Sequence, residues 1–194
     1  SEAVALLSRI DSKGDAEREI RLARQTAALT KEAGQTGEAI RILTDVVKSH
    51  KSVDAQIQIG DIYRESENYA DALKSYDAAY DMLGGKITAE YWDLSFARGV
   101  ANERMKNWEQ AEKDLQTALL YEPDQPYVLN YLGYSWADQG ANLDKAAEMI
   151  EKAVRLKPDD GAIVDSLGWV YFRMGQFDKA SKTLEKAIEL SPTE

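Results

Sequence analysis

Residues 161–192, GAIVDSLGWVYFRMGQFDKASKTLEKAIELSP, decide how the rest of the chain is read. Val164, Leu167, Gly168 and Tyr171 stand at the first, fourth, fifth and eighth places of a W-x2-L-G-x2-Y pattern. Ala180, Leu184, Ala187 and Pro192 follow where a second helix needs small residues, a large one and a stop. Asp159 and Asp160, just before the stretch, are natural N-cap residues. Both halves have helical spacing, so the unit is a pair of helices joined by a short turn.

The same spacing recurs upstream, and recurrence at a fixed period is hard to reach by chance. Pro126 opens one copy with Leu132, Gly133, Trp136, Ala146, Ile150, Ala153 and Pro158, one residue longer at Gly140-Ala141-Asn142. The copy from Trp92 keeps Gly99, Trp108, Ala111, Leu115, Ala118 and Pro123, but Arg98 and Asn102 replace the usual Leu and Tyr. The copy from Val53 carries Ile59, Gly60, Tyr63, Tyr69, Ala72, Tyr76 and Ala79, and ends in Gly84-Gly85, which suits a helix C-terminus at positive φ. Extra residues, Lys86 to Glu90, are expected to lengthen the following first helix backwards. The weakest copy has Ala39, Leu43 and Val46 in its second helix, but Thr26, Ala27 and Thr30 where Leu, Gly and Tyr are expected. Ala3, Leu6, Leu7 and Ile10 read as a leftover second helix of a preceding copy, which implies a truncated N-terminus. The expected organisation is one domain over 1–194, with repeats 20–52, 53–91, 92–125, 126–160 and 161–194 after a remnant at 1–19.

Packing explains the residue types. The small residue at the eighth repeat position lets the two helices of a pair approach, and the large one at the eleventh fills the space beside it. Each pair buries only part of its apolar face alone, so neighbouring pairs must cover one another.

Composition narrows function by exclusion. Of 194 residues 44% are hydrophobic, without the long apolar run of a membrane span, so no direct membrane insertion is expected. There is no cysteine, hence no disulfide framework and no thiolate metal site. Residues 1–52 hold nine Lys/Arg against eight Asp/Glu, whereas residues 53–194 hold fifteen against twenty-six. So acidic a body repels phosphate backbones, and no basic stripe is interleaved with aromatics, so nucleic acid is not an expected ligand. The plain reading of the acidity is a solvated surface that keeps the chain soluble; selection for a basic partner is the alternative.

Chemistry-bearing constellations are missing. His50, the only histidine, has no Ser, Asp or Cys at catalytic spacing and reads as structural or surface. No glycine-rich phosphate loop follows a strand, and Gly133 fits packing. Asp61 with Glu65, and Asp159-Asp160, are pairs that arise unaided in so acidic a chain. Asp11, Lys13 and Asp15 around Gly14 lack the closing glutamate of a calcium loop. No catalysis, cofactor or metal is expected.

The repeated unit resembles the tetratricopeptide repeat (TPR), over residues 53–194 closely and over 1–52 more loosely. The resemblance implies an all-α, right-handed α-solenoid of about five helix-turn-helix repeats plus a leading helix, with first helices lining an inner groove. It also implies that first-helix positions two, five, nine and twelve face inward. In the last copies these positions include Phe96, then Tyr127, Asn130 and Tyr134, then Asp165, Trp169 and Phe172. With Tyr131 they form an aromatic patch with a few hydrogen-bonding groups, the composition expected where a peptide or helix docks. The same residues also suit packing, or contact with a capping helix. The carboxylate clamp of chaperone-binding TPR domains does not fit, because its cationic places fall on Arg24, Ala28, Gln58, Asp93 and Ala97, or on Phe96, Val100, Tyr131, Ala162 and Ser166.

Residues 129–180 look like the C-terminal repeats of large bacterial TPR proteins, many exported and some of them outer-membrane lipoproteins, which implies a cell-envelope location. The expected function is a non-catalytic scaffold or adaptor for a protein or peptide. The alternative is a module that self-associates into homo-oligomers through its open terminal repeats.

Overall fold

The computed structural model describes residues 14–191. Among these, the regular structure is ten α-helices and one short 3-10 turn. The helices are α1 (Ala16–Glu32), α2 (Thr36–His50), α3 (Val53–Glu65), α4 (Tyr69–Met82) and α5 (Trp92–Arg104). They continue as α6 (Trp108–Tyr121), α7 (Pro126–Gln139), α8 (Leu143–Leu156), α9 (Gly161–Arg173) and α10 (Phe177–Leu190). The leading helix expected within 1–19 lies outside the described residues.

Helix starts follow from local chemistry. Asp15, Ser52 and Asp160 accept from the backbone N–H groups of Arg18, Ala55 and Ile163 at 3.0, 3.2 and 3.2 Å, each satisfying a donor that has no partner inside its helix. Between the helices of each pair the chain adopts a left-handed backbone, at Gly34, Glu67, Lys106, Gly140 and Gly175 with φ of 80, 57, 62, 69 and 74°, and in the Gly140 turn also at Asn142 with φ 49°. A Cβ on Gly133 would come 2.7 Å from Ile150 Cγ1 and 3.0 Å from the Ala146 carbonyl oxygen, so α7 and α8 meet where only hydrogen fits.

Two compact units are distinguished. The first holds the residues up to Ile87 with Arg104–Lys106; the second holds Thr88–Glu103 and the residues from Asn107 onward. In the first, α1 packs on α2, α2 on α3 and α3 on α4, around Ala27, Leu43, Ala55, Ile59 and Ile62. In the second, α7 packs on α6, α8 and α9, and α9 on α8 and α10, around Leu115, Val128, Leu132, Trp136, Ile150 and Ile163.

Two places depart from the plain repeat, the first of them against expectation. Lys86–Glu90 does not extend the following helix backwards. Gly84 and Gly85, both at φ 73°, end α4; Ile87 then buries to 5% exposure, Thr88 is extended, and a 3-10 turn over Ala89–Tyr91 leads into α5. Burying the apolar Ile87 side chain is favourable. The second departure fills the space left by the missing Leu and Tyr of the 92–125 copy. Arg98 and Asn102 turn inward and bind Asp114 of α6, which is 2% exposed.

Candidate protein-interaction site

Helices α7 and α9 carry most of the aromatic residues singled out in the sequence, and they pack against each other. Pro126 at the first turn of α7 and the Gln125 side chain, which accepts from Tyr127 N–H at 2.7 Å, set where that helix begins. On α7, Tyr127 and Tyr134 are 41% and 39% exposed; on α9, Phe172 is 48% exposed. Tyr131 and Trp169 are half-buried against the core, as is Phe96 of α5.

The structure brings the rings together in two groups. Phe96 and Tyr131 meet edge to face, with centroids 5.7 Å apart. Trp169 stacks on Phe172 at 5.5 Å with planes 21° apart, and Phe172 in turn meets Phe177 at 5.6 Å and 61°. Phe177, 63% exposed, extends the aromatic surface onto α10. The sequence reading missed it because position seventeen is not one of the inward positions the resemblance supplies; its large aromatic character beside Phe172 was the available signal. Arg173 was missed likewise. Its guanidinium lies 5.6 Å from the Trp169 ring centroid, and its Nη1 donates to the Asp138 carbonyl at 2.7 Å, near the C-terminus of α7 where a cation is favourable.

Polar groups complete the surface. Lys157 Nζ donates to the Tyr127 hydroxyl at 2.8 Å and lies 4.6 Å from its ring centroid; that hydrogen bond holds the ammonium pKa above its ordinary value. Asn130 is half-buried, and its Oδ1 is inaccessible and without a hydrogen-bond partner, as is Trp169 Nε1. Tyr171 donates to Glu151 Oε1 at 2.9 Å, and burial followed by that bond pushes its hydroxyl up to about 12. Asp165 is exposed and one turn before Trp169 on the same helix face, and it also lines a cleft of about 330 Å³ with Ser166, Ala187, Ile188 and Ser191.

Among the described residues no group of three or more His, Asp or Glu is arranged to hold a metal ion. None of their helices is long and apolar enough to cross a membrane.

Against known families, a profile described as tetratricopeptide repeat matches residues 31–87, 57–111 and 96–161, and a second with the same description matches 165–194. The chain belongs to the tetratricopeptide repeat family. Among TPR relatives, the TPR repeat-containing protein PA4667 of Pseudomonas aeruginosa is 38% identical over 154 residues, covering 79% of this chain and 25% of its own length. The BBSome complex member BBS4 of Bos taurus is 30% identical over 105 residues, covering 54% of this chain and 19% of its own length. The chain thus spans about a quarter of the length of the curated relatives it matches, or less.

Solved TPR structures match the fold. MamA from Desulfovibrio magneticus, residues 41 to the end, gives a TM-score of 0.76 at 21% identity over 93% of this chain and 98% of that one. YrrB, described as a TPR protein with an unusual peptide-binding site, gives 0.71 at 20% identity over 100% of this chain and 92% of that one. At such identities the likeness concerns the fold alone, and it is the all-α TPR solenoid expected from the repeats.

Proposed function

We propose that this chain is a non-catalytic scaffold that holds a peptide or helical segment of another protein on the aromatic face of α7 and α9. The observation that carries the reading is the run of partly exposed rings on two adjacent helices, Tyr127 and Tyr134 on α7, then Trp169 and Phe172 on α9. Large aromatics with a polar tip supply contact area at low entropic cost, which is why they anchor interfaces. The two buried polar atoms without partners, on Asn130 and Trp169, leave hydrogen-bonding capacity unused on these two helices. Phe96 and Tyr131 form the supporting wall, and Asp165 the polar edge. The peptide-binding site in the description of YrrB is consistent with such use of the fold. The finer lineage, an exported bacterial scaffold of the cell envelope with five repeats counted as one domain, is proposed with it.

Trp169→Ala with Tyr134→Ala tests the reading. With helicity retained by circular dichroism, partners captured by the wild-type chain from its source organism should fall at least about tenfold, as for loss of two interface anchors. Unchanged capture by the folded double variant overturns it.

A second reading, self-association through the last repeat, is favoured by one observation. Ile188 is 66% exposed, whereas Leu119 and Val154, at the matching place of earlier repeats, are partly buried against the core. Concentration-dependent mass in light scattering, abolished by Ile188→Asp, is the outcome expected of it; a monomer at every concentration removes it.

A further inference from the structure

The helices that carry the exposed rings of the second unit also carry exposed carboxylates. Asp138 follows Tyr134 by four residues on α7, so the two share a helix face. Asp165 precedes Trp169 by four on α9, and Asp178 lies in the first turn of α10, which Phe177 opens; all three carboxylates are exposed. Helix α7 bears no Lys or Arg, and the single cation of α9, Arg173, is already engaged with the Trp169 ring and the Asp138 carbonyl. The whole unit is strongly acidic, with ten Lys/Arg against nineteen Asp/Glu in 88–103 and 107–194.

The rings of this unit already take cations over their faces. Arg173 lies over Trp169, Lys157 at 4.6 Å over Tyr127, and Lys179 at 5.3 Å over Tyr171. An aromatic face attracts a cation through its quadrupole, guanidinium most often, and a nearby carboxylate adds an ion pair to the same group. Phe172, Phe177 and Tyr134 are partly exposed rings on the same acidic unit.

Resting on the scaffold reading above, we infer that the segment docked on α7, α9 and the start of α10 is basic: its Arg or Lys side chains lie over Phe172, Phe177 and Tyr134 and pair with Asp138, Asp165 and Asp178. Apolar residues between those cations fill the remaining ring surface. The acidity of the second unit therefore selects a partner as well as keeping the chain soluble.

The test uses the whole chain and an acetylated, amidated nonapeptide of three Arg-Leu-Gly units, titrated by calorimetry at about 150 mM salt, where diffuse attraction between exposed charges is screened. The same peptide with Gln for Arg should bind at least about tenfold more weakly, the size expected for losing several cation–ring contacts. Phe172→Leu with Phe177→Leu, which keeps apolar bulk and removes the rings, should cost about fivefold to tenfold in affinity for the Arg peptide. Asp138→Asn with Asp165→Asn should cost about threefold and flatten the salt dependence. Glu17→Gln with Asp81→Asn, exposed carboxylates of the first unit, should leave binding unchanged.

Equal binding of the Arg and Gln peptides overturns the inference. So does indifference to the ring substitutions, or an equal loss from the first-unit carboxylates, which would mean unspecific charge attraction. If Trp169→Ala with Tyr134→Ala abolishes capture of natural partners while the Arg peptide shows no preference, the scaffold reading stands and the basic partner alone is wrong.

Discussion

Asp114 receives Arg98 Nε at 3.0 Å and Nη2 at 2.5 Å, Asn102 Nδ2 at 3.1 Å and Gln110 Nε2 at 3.0 Å. Its own backbone carbonyl accepts from the Ser95 hydroxyl at 2.9 Å. A buried ion pair is weak evidence for stability as a pair, but removing one partner strands the other charge without water. Asp114→Ala should therefore cost about 3–5 kcal/mol in urea denaturation, and Arg98→Leu with Asp114→Leu should recover most of that loss. If the single substitution is neutral, the network contributes nothing. Arg98 was legible as a departure from the repeat. Its partner was not, because one more Asp in an acidic helix reads as solvent-facing until the hairpin closes. Gly133 is the opposite case: its place in the repeat pattern announced a close approach. Gly133→Ala should cost about 1–3 kcal/mol, measured the same way, because the Ala146 carbonyl cannot retreat without disturbing α8.

Among the elements, the five turns within helix pairs solve one geometric problem with different residues. Gly34, Gly140 and Gly175 take the left-handed backbone without penalty, whereas Glu67, Lys106 and, beside Gly140, Asn142 hold it with a Cβ. That conformation costs a non-glycine residue about 1 kcal/mol, partly offset by the greater freedom glycine loses on folding. Lys106→Gly is expected to stabilise by a few tenths to about 1 kcal/mol in urea denaturation. A destabilised variant would show that Lys106 contributes through its side chain instead. Helix periodicity and capping chemistry predicted these elements well, since both are short-range. Gly84-Gly85 was read rightly as a helix end at positive φ, whereas Lys86–Glu90 was misread as helix; Ile87 within it is buried, a long-range matter.

At the scale of the whole molecule, two tyrosines with raised pKa values are expected to make stability depend on alkaline pH. Tyr76 is fully buried; its hydroxyl donates to Asp61 Oδ1 at 2.8 Å and accepts from Arg64 Nε at 3.1 Å. Burial first, then the Asp61 charge, raise its pKa well above the ordinary 10.0, although Arg64 opposes the shift. Tyr171 is pushed up to about 12. In the unfolded chain both titrate in the usual tyrosine range, so the folded state binds more protons above about pH 10. The contribution of these groups is complete below that pH and is lost as pH rises through the folded values. Urea midpoints should thus fall steeply above about pH 10, and Tyr76→Phe should flatten the fall. A profile indifferent to that substitution would remove Tyr76 as its cause.

The sequence by itself determined the repeated helical pair, the family and the aromatic character of α7 and α9, because helical periodicity, small-residue spacing and caps act over a few residues. It did not determine which groups meet across helices. The Arg98–Asp114 network, the burial of Ile87, and the run of rings from Trp169 through Phe172 to Phe177 exist only once the pairs have packed. Packing decides them because the burial of a charge and the stacking of a ring depend on neighbours that the chain brings close only in three dimensions.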